Sequence, residues 1–196
     1  MTSGAIRVVP ATPDRWGDVV KVLGGDGDRG CWCLYWRQSA GDYSHTPLEG
    51  RPEILRALTR AEPAPGLVAY LDGEPAGWLG LGPRPRLERL VRSRTIPAID
   101  DLPVWSIVCF NVRVGYRRKG VARGLLEGAI CYARESHAPA LEAYPIDPEG
   151  KRADTAFGYV GFTSMFEAAG FRRVVETAAR SDRKPRILMR LDFGGS

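Results

Sequence analysis

Val112-Arg113-Val114-Gly115-Tyr116-Arg117-Arg118-Lys119-Gly120-Val121-Ala122-Arg123 is the stretch on which the fold turns. An apolar run ends in it and an amphipathic helix leaves it. The run, Val104 to Val112, is nearly continuous in apolar residues, the pattern of a strand buried on both faces. Downstream, Ala122, Leu125, Leu126, Ala129, Ile130 and Ala133 recur at i, i+3, i+4, i+7, i+8 and i+11, one face of a helix. Ala140 to Tyr144 reads as the next strand, ended by Pro145. Strand, helix and strand in that order require a right-handed crossover and a locally parallel strand pair.

The turn carries chemistry of its own. The first four N–H groups of a helix have no internal partner, and the helix dipole is positive there. Gly120 removes a side chain where a ligand would approach the backbone, and Ala122 keeps the next turn small. Arg117, Arg118, Lys119 and Arg123 add positive charge around the same point. Physically this is a pyrophosphate cradle; an ordinary strand–helix turn with basic surface residues is the other reading of the same pattern. No Gly-Lys-Ser/Thr follows, which excludes a P-loop. Only one glycine lies between Arg117 and Arg123, too few for the dinucleotide-binding fingerprint.

Working outward, Ile6 to Val9 alternates as a first strand. Thr12-Pro13 then opens a helix through Trp16, Val19, Val20 and Leu23, which stops at Gly24-Gly25-Asp26-Gly27-Asp28. Pro52 opens a second helix with Ile54, Leu55 and Leu58 on one face. Leu67 to Leu71 and Ala76 to Leu81 flank Asp72-Gly73, a hairpin signal. Pro83 to Arg94 holds five arginines and one glutamate around Leu87, Leu90 and Val91, and reads as a short surface helix with a solvated basic face. Phe162, Met165, Phe166 and Ala169 mark a last helix closed by Gly170. Phe171 to Thr177 and Ile187 to Leu191 read as closing strands joined by a basic loop. The order β-α-α-β-β-β-α-β-α-β-β, without repeat or linker, gives one α+β domain over 1–196 with a mixed sheet.

The chain has 196 residues, which fits one domain with a sizeable core, and 44% apolar against 26% charged residues marks it as globular. No apolar run approaches a membrane span, and the N-terminus lacks a basic segment followed by an apolar one, so a soluble cytoplasmic protein is expected. The net charge is +5, from 28 Lys plus Arg against 23 Asp plus Glu. Only Lys21, Lys119, Lys151 and Lys184 are lysines. The arginine excess suits anion recognition and is equally what a GC-rich genome produces. Cys109 and Cys131 lie in apolar segments and read as small core residues; Cys31-Trp32-Cys33 reads as a thiol pair among aromatics. With His45 and His137 the only histidines, a zinc site lacks its second ligand pair, and no metal is expected.

At Arg117-Arg118-Lys119-Gly120-Val121-Ala122 the chain resembles the GNAT superfamily of N-acetyltransferases, whose segment Q/R-x-x-G-x-G/A follows a strand such as the one ending at Val112. The element order is that family's order. Ser164 to Phe171 is similar to its later helix ending in Gly-Phe, and Asp72 to Gly77 to the hairpin of its second and third strands. The resemblance is weakest over 24–50 and 83–103. It implies a mostly antiparallel sheet of six to seven strands, about four helices, and a parallel pair splayed at the acyl-CoA site. It implies acetyl-CoA as co-substrate, with phosphates on the amides from Arg118 through Val121 and Ala122 to Arg123, and pantetheine along Phe110, Val112 and Val114. Phe166 joins the cofactor-binding positions through the same match.

An acyl transfer to an amine needs a base, an oxyanion donor and a proton for the departing thiolate. Glu142, mid-strand in Ala140-Leu141-Glu142-Ala143-Tyr144, is the candidate base; an ion-paired strand residue is the alternative. Tyr144 shares its face. Many family members carry a tyrosine donor where Phe166 stands here, which leaves Tyr159, Ser164 or water for that role, or a thiolate that leaves unassisted. Trp32, Tyr35, Trp36 and Trp105 read either as core or as a wall for a flat or cationic acceptor, with Asp147, Asp100 and Asp101 supplying negative charge. The expected activity is N-acetylation of a small primary amine. A protein lysine or N-terminal amine, and a non-catalytic acyl-CoA-binding module, are the alternatives. No nucleic acid or membrane partner is expected, and a homodimer is left open.

Overall fold

A computed structural model describes residues 4–24, 30–147, 162–181 and 183–194. One seven-stranded sheet organises them, in the order β1-β2-β3-β4-β5-β7-β6. Its strands are β1 Ile6–Pro10, β2 Gly66–Leu71, β3 Glu74–Pro83, β4 Trp105–Val112, β5 Ala140–Ala143, β6 Arg172–Ser181 and β7 Lys184–Asp192. All neighbours are antiparallel except β4 and β5, the pair joined by the helix after Gly120. Six α-helices are seen among the described residues: α1 Trp16–Leu23, α2 Ala40–His45, α3 Arg51–Leu58, α4 Glu88–Val91, α5 Val121–Glu135 and α6 Thr163–Ala168. Among the six, α2 and the α4 expected between Pro83 and Arg94 are short. The Ser39 hydroxyl accepts from the Asp42 amide at 3.1 Å to start α2, and α4 spans one turn.

Alternation along the strands sorts the core onto two faces. Leu79, Leu81, Ile107 and Phe110 lie with Leu125, Leu126 and Phe166 under α5 and α6. Val68, Tyr70 and Trp78 lie on the other face with Val19, Val22, Leu34 and Leu55 from the α1 and α3 region. On that same side Leu87, Leu90 and Ile96 pack with Val108, Tyr144 and Leu188. Helix α5 crosses close to the sheet because a Cβ on Gly128 would meet Val8 Cγ1 at 2.5 Å. The β2–β3 turn holds Asp72 and Gly73 at φ 53° and 86°, the left-handed pair of a two-residue hairpin.

Three expectations change. The closing strands are longer than read, β6 reaching Ser181 and β7 starting at Lys184, because β6 is an outer strand whose arginines gave no apolar alternation. Arg84 is not part of a solvated basic face: it is buried, its Nη2 donating 2.8 Å to the Ile96 carbonyl. Cys131 is exposed on α5 rather than in the core.

Candidate functional site

The ladder between β4 and β5 is short. Trp105, Ser106 and Ile107 pair with Leu141, Glu142 and Ala143, and beyond that level β4 continues to Val112 without β5. The opposite edge of β4 stays paired with β3 as far as Val112. The two strands therefore separate, and β4 keeps open backbone hydrogen-bonding groups from Val108 onward. At the same level β4 bulges: Ile107 pairs with Leu81 and Cys109 with Gly80, which leaves Val108 without a partner of its own. A bulge beside a strand separation is a place for backbone N–H groups to serve a ligand rather than a ladder.

The chain then enters α5. Gly120 is the N-cap at φ 84°, and Arg118 two residues earlier is also left-handed at φ 59°. A Cβ on Gly120 would meet only Ile6 Cδ1, at 3.4 Å, so glycine is required here for its backbone rather than for space. The Gly124 amide closes the first turn on the Gly120 carbonyl. The amides of Val121, Ala122 and Arg123 precede that bond and have no intrahelical acceptor. Arg117, Arg118, Lys119 and Arg123 are exposed around them. Arg117 Nε donates to the Val112 carbonyl at 3.2 Å, and Arg123 pairs with Glu127 at 3.0 Å on an exposed surface where such a pair is easily exchanged. These residues fit a polyphosphate: unpaired amides, a positive helix end and four exposed cations converge. Val114 is exposed, whereas Val112 is half-buried and Phe110 buried. Phe166 is fully buried between Phe110 at 6.1 Å and Phe171 at 5.2 Å, so its side chain packs in the core.

Glu142 lies in a row across three strands, paired with Ser106 on β4 and with Arg190 on β7. It is 1% exposed. The Tyr144 hydroxyl donates to its Oε2, while Arg84 Nη1 lies 3.7 Å from Oε2 and Arg190 Nη1 3.8 Å from Oε1. Burial lifts the Glu142 carboxyl above its usual range, against the hydrogen bond from Tyr144 and the two arginines. Burial and the neighbouring Glu142 push the Tyr144 phenol well above its own. Ser106 was not anticipated as a member of this group, nor were Arg84 and Arg190. Their contacts are non-local, and the mid-strand placement of Glu142 was the one signal in the sequence. Asp100 is held by Arg190, which keeps its carboxyl below the usual range.

The four aromatic residues do not form one wall. Trp105 packs under α5, its ring edge-on to Tyr132 at 5.6 Å, while Trp32, Tyr35 and Trp36 lie on the opposite side of the sheet. Trp32 is core, 6.0 Å from Trp16. Tyr35 is 41% exposed and meets Trp36 edge-on at 5.1 Å. Protein arginines already lie over these rings, Arg89 at 4.0 Å from Tyr35 and Arg186 at 5.5 Å from Trp36. Asp147 is engaged by Arg173, which also donates to Glu167 at 2.7 Å. Tyr159 lies outside the described residues. A hollow of about 180 Å³ between Arg37, Leu58, Pro65 and Gly82 sits at the Pro83 end of β3, beside the part of β4 still paired with β5, and does not line the separation. Among the described residues no group of three or more His, Cys, Asp and Glu is arranged to hold a metal ion, and no helix is long and apolar enough to cross a membrane.

The sequence profile of the acetyltransferase (GNAT) family matches residues 32–162. Solved structures with the same fold include an acetyltransferase of the GNAT family from Streptococcus pneumoniae, at TM-score 0.56 and 17% identity over 97% of this chain and 100% of that one. An aminoglycoside acetyltransferase in complex with coenzyme A aligns at TM-score 0.56 and 15% identity over 96% of this chain and 95% of its own. The NatC complex bound to Gag peptide and CoA aligns at TM-score 0.52 and 16% identity, covering 96% and 99%. No curated protein matches the chain by sequence. With the profile covering well over half of the residues, and with the parallel pair and the Gly120 turn in place, the chain belongs to the GNAT acetyltransferase family, in which transfer from acetyl-CoA is general.

Proposed function

We propose that the protein is an N-acetyltransferase that moves the acetyl group of acetyl-CoA to a primary amine on a small molecule. The observation that carries this reading is the coincidence along β4 of the loss of β5 after Ile107, the bulge at Val108 and Cys109, and the amide-rich start of α5 at Val121. In it, Phe110, Val112 and Val114 offer backbone groups to the pantetheine arm, and the amides from Arg118 to Arg123 take the pyrophosphate with help from the side chains of Arg117, Arg118, Lys119 and Arg123. Acetyl-CoA brings an activated thioester. The protein's task is to hold it and manage charge.

An alkyl ammonium has a pKa near ~10.4, so the acceptor must lose a proton before it attacks. Glu142 is the base of this proposal, its carboxylate oriented by the Tyr144 hydroxyl that donates to it at 3.0 Å. The C–N bond forms as the carbonyl oxygen gains negative charge, which an N–H at the β4 bulge stabilises. The C–S bond then breaks and the thiolate takes a proton. Phe166 has none to give, and Tyr159 is assigned that role. The aromatic pair Tyr35 and Trp36 walls the acceptor side, with Trp32 behind it, and Asp147 is the carboxylate offered to the amine. The enzyme is taken to be cytoplasmic and to work without a metal.

A second reading has its own support. Glu142 is neutralised by two arginines and closed to solvent, as a structural ion pair would be. On that reading the chain binds acyl-CoA without turnover. Thiol release from acetyl-CoA over a panel of small amines, peptide N-termini and lysine peptides separates these. Release with a small amine is expected. Release with peptides alone moves the acceptor class. Thermal stabilisation by acetyl-CoA without release on any acceptor supports the binding module. Absence of both stabilisation and binding heat removes the acetyl-CoA reading altogether.

A further inference from the structure

Cys33 and Cys109 meet over Gly80. Gly80 pairs with Cys109 across the β3–β4 ladder. A Cβ on Gly80 would come within 2.2 Å of Cys33 Sγ and 3.3 Å of the Cys109 Cβ. The missing side chain at 80 is the seat of the Cys33 sulfur. Cys33 reaches it from a loop in which Trp32 and Cys33 hold φ 46° and 57°, a left-handed conformation that large side chains adopt rarely. Two buried donors surround the seat without a hydrogen-bond partner, Trp78 Nε1 and Arg37 Nε. Trp78 Nε1 lies 3.3 Å from the same point above Gly80. Buried orphan donors are rare and ask for a nearby anion.

The thiols titrate accordingly. A hydrogen bond with Cys109 leads, with Arg37 and Trp78 adding, and together they bring the Cys33 thiol down to about 6 against the effect of burial. The same contact and burial push Cys109 well above its ordinary value. Within the pair Cys33 is the sulfur favoured as the anion and Cys109 the one favoured to keep its proton. That is the division of labour between an attacking and a resolving cysteine.

We propose that Cys33 and Cys109 are an oxidation site for a small peroxide. The Cys33 thiolate attacks the O–O bond of hydrogen peroxide, giving a sulfenic acid and hydroxide. The Cys109 thiol then attacks that sulfur, forming the S–S bond, and its proton leaves with the hydroxyl as water. In sum two thiols are oxidised and one peroxide is reduced to two waters. Burial selects the oxidant: Cys33 is 5% exposed and Cys109 partly exposed, which admits a molecule of a few atoms and not a bulky disulfide. Cys131 sits exposed on α5 across the sheet. The disulfide would tie the loop at Cys33 to the bulge of β4. None of this requires acetyl-CoA, so the proposal stands or falls apart from the acetyltransferase reading.

The test is a peptide map of the full-length protein, reduced, treated with hydrogen peroxide and then capped with N-ethylmaleimide. The expected product is a monomer with Cys33 and Cys109 joined, Cys31 and Cys131 alkylated, and the link reversed by dithiothreitol. Cys131→Ser forms the same link. Gly80→Ala displaces the Cys33 sulfur from its donors and slows the link by about tenfold or more. Should that variant fail to fold, the wild-type map decides alone. A Cys31–Cys33 link, a Cys33 sulfinic acid beside an alkylated Cys109, or four alkylated cysteines after peroxide each overturns the proposal.

Discussion

The Tyr144 hydroxyl donates a 3.0 Å hydrogen bond to Glu142 while accepting one of 2.7 Å from Arg84. Ser106 lies 3.0 Å from the same oxygen and, with the phenolic hydrogen already committed, must be the donor there. One phenol thus links a carboxylate, a guanidinium and a hydroxyl. Glu142→Gln keeps the shape of this cluster and removes its basicity. We expect kcat to fall by about 100-fold or more, with acetyl-CoA affinity unchanged by calorimetry. Turnover within a few-fold of wild type across pH would remove Glu142 from the reaction.

The same variant has a pH signature in stability. The Glu142 carboxyl is lifted above its ordinary value of 4.5 in the folded chain, so the native state holds this proton more tightly than the unfolded one. The resulting stabilisation is complete below the unfolded value and is lost as pH rises through the folded one. Relative to Glu142→Gln, the wild type should therefore lose stability as pH rises from about 4.5. Urea unfolding of both proteins at several pH values reads the difference. A constant difference would show that Glu142 titrates as it does in the unfolded chain.

Arg84→Ala should be severe. It strips a buried guanidinium from the Tyr144 hydroxyl and the Ile96 carbonyl and leaves Glu142 with one fewer cation. Breaking a buried pair on one side costs about 3–5 kcal/mol. A loss of under about 1 kcal/mol in urea unfolding would mean that solvent reaches the cluster.

Gly120→Glu isolates the ligand cradle from the fold. Space is available, since only Ile6 Cδ1 approaches, at 3.4 Å. The left-handed φ of 84° makes any side chain cost about 1–2 kcal/mol. The added carboxylate would face the ligand's phosphates. Calorimetry should show acetyl-CoA binding abolished while circular dichroism is retained. Wild-type affinity would place the phosphates elsewhere.

Gly128→Ala probes the contact between α5 and β1. The new methyl would meet Val8 Cγ1 at 2.5 Å, and overpacking of this kind costs about 1–3 kcal/mol. A lowered melting temperature with unchanged acetyl-CoA affinity is expected, because Gly128 lies two turns beyond the cradle.

Local signals were readable from the chain. The Gly120 turn, the apolar run of β4, the periodic face of α5 and the Asp72-Gly73 hairpin each depend on residues close in sequence. What depended on pairing was not readable. Trp105 and Trp32 are both tryptophans beside apolar residues, and only the β4 register of the one and the loop path of the other send them to opposite faces of the sheet. The row Ser106, Glu142, Arg190 joins three strands, and Arg84 reaches it from the helical turn after β3, within a segment whose arginines read as one solvated face. The meeting of Cys33 and Cys109 needs both the loop conformation and the bulge.

The outermost strand closes the account of the arginines. β6 carries Arg172, Arg173, Glu176 and Arg180, and its register with β7 slips twice. A flat, apolar outer strand would invite a second chain to add to it. Repulsion between like-charged copies and the broken spacing of its backbone groups make this border a poor template for a second chain to extend.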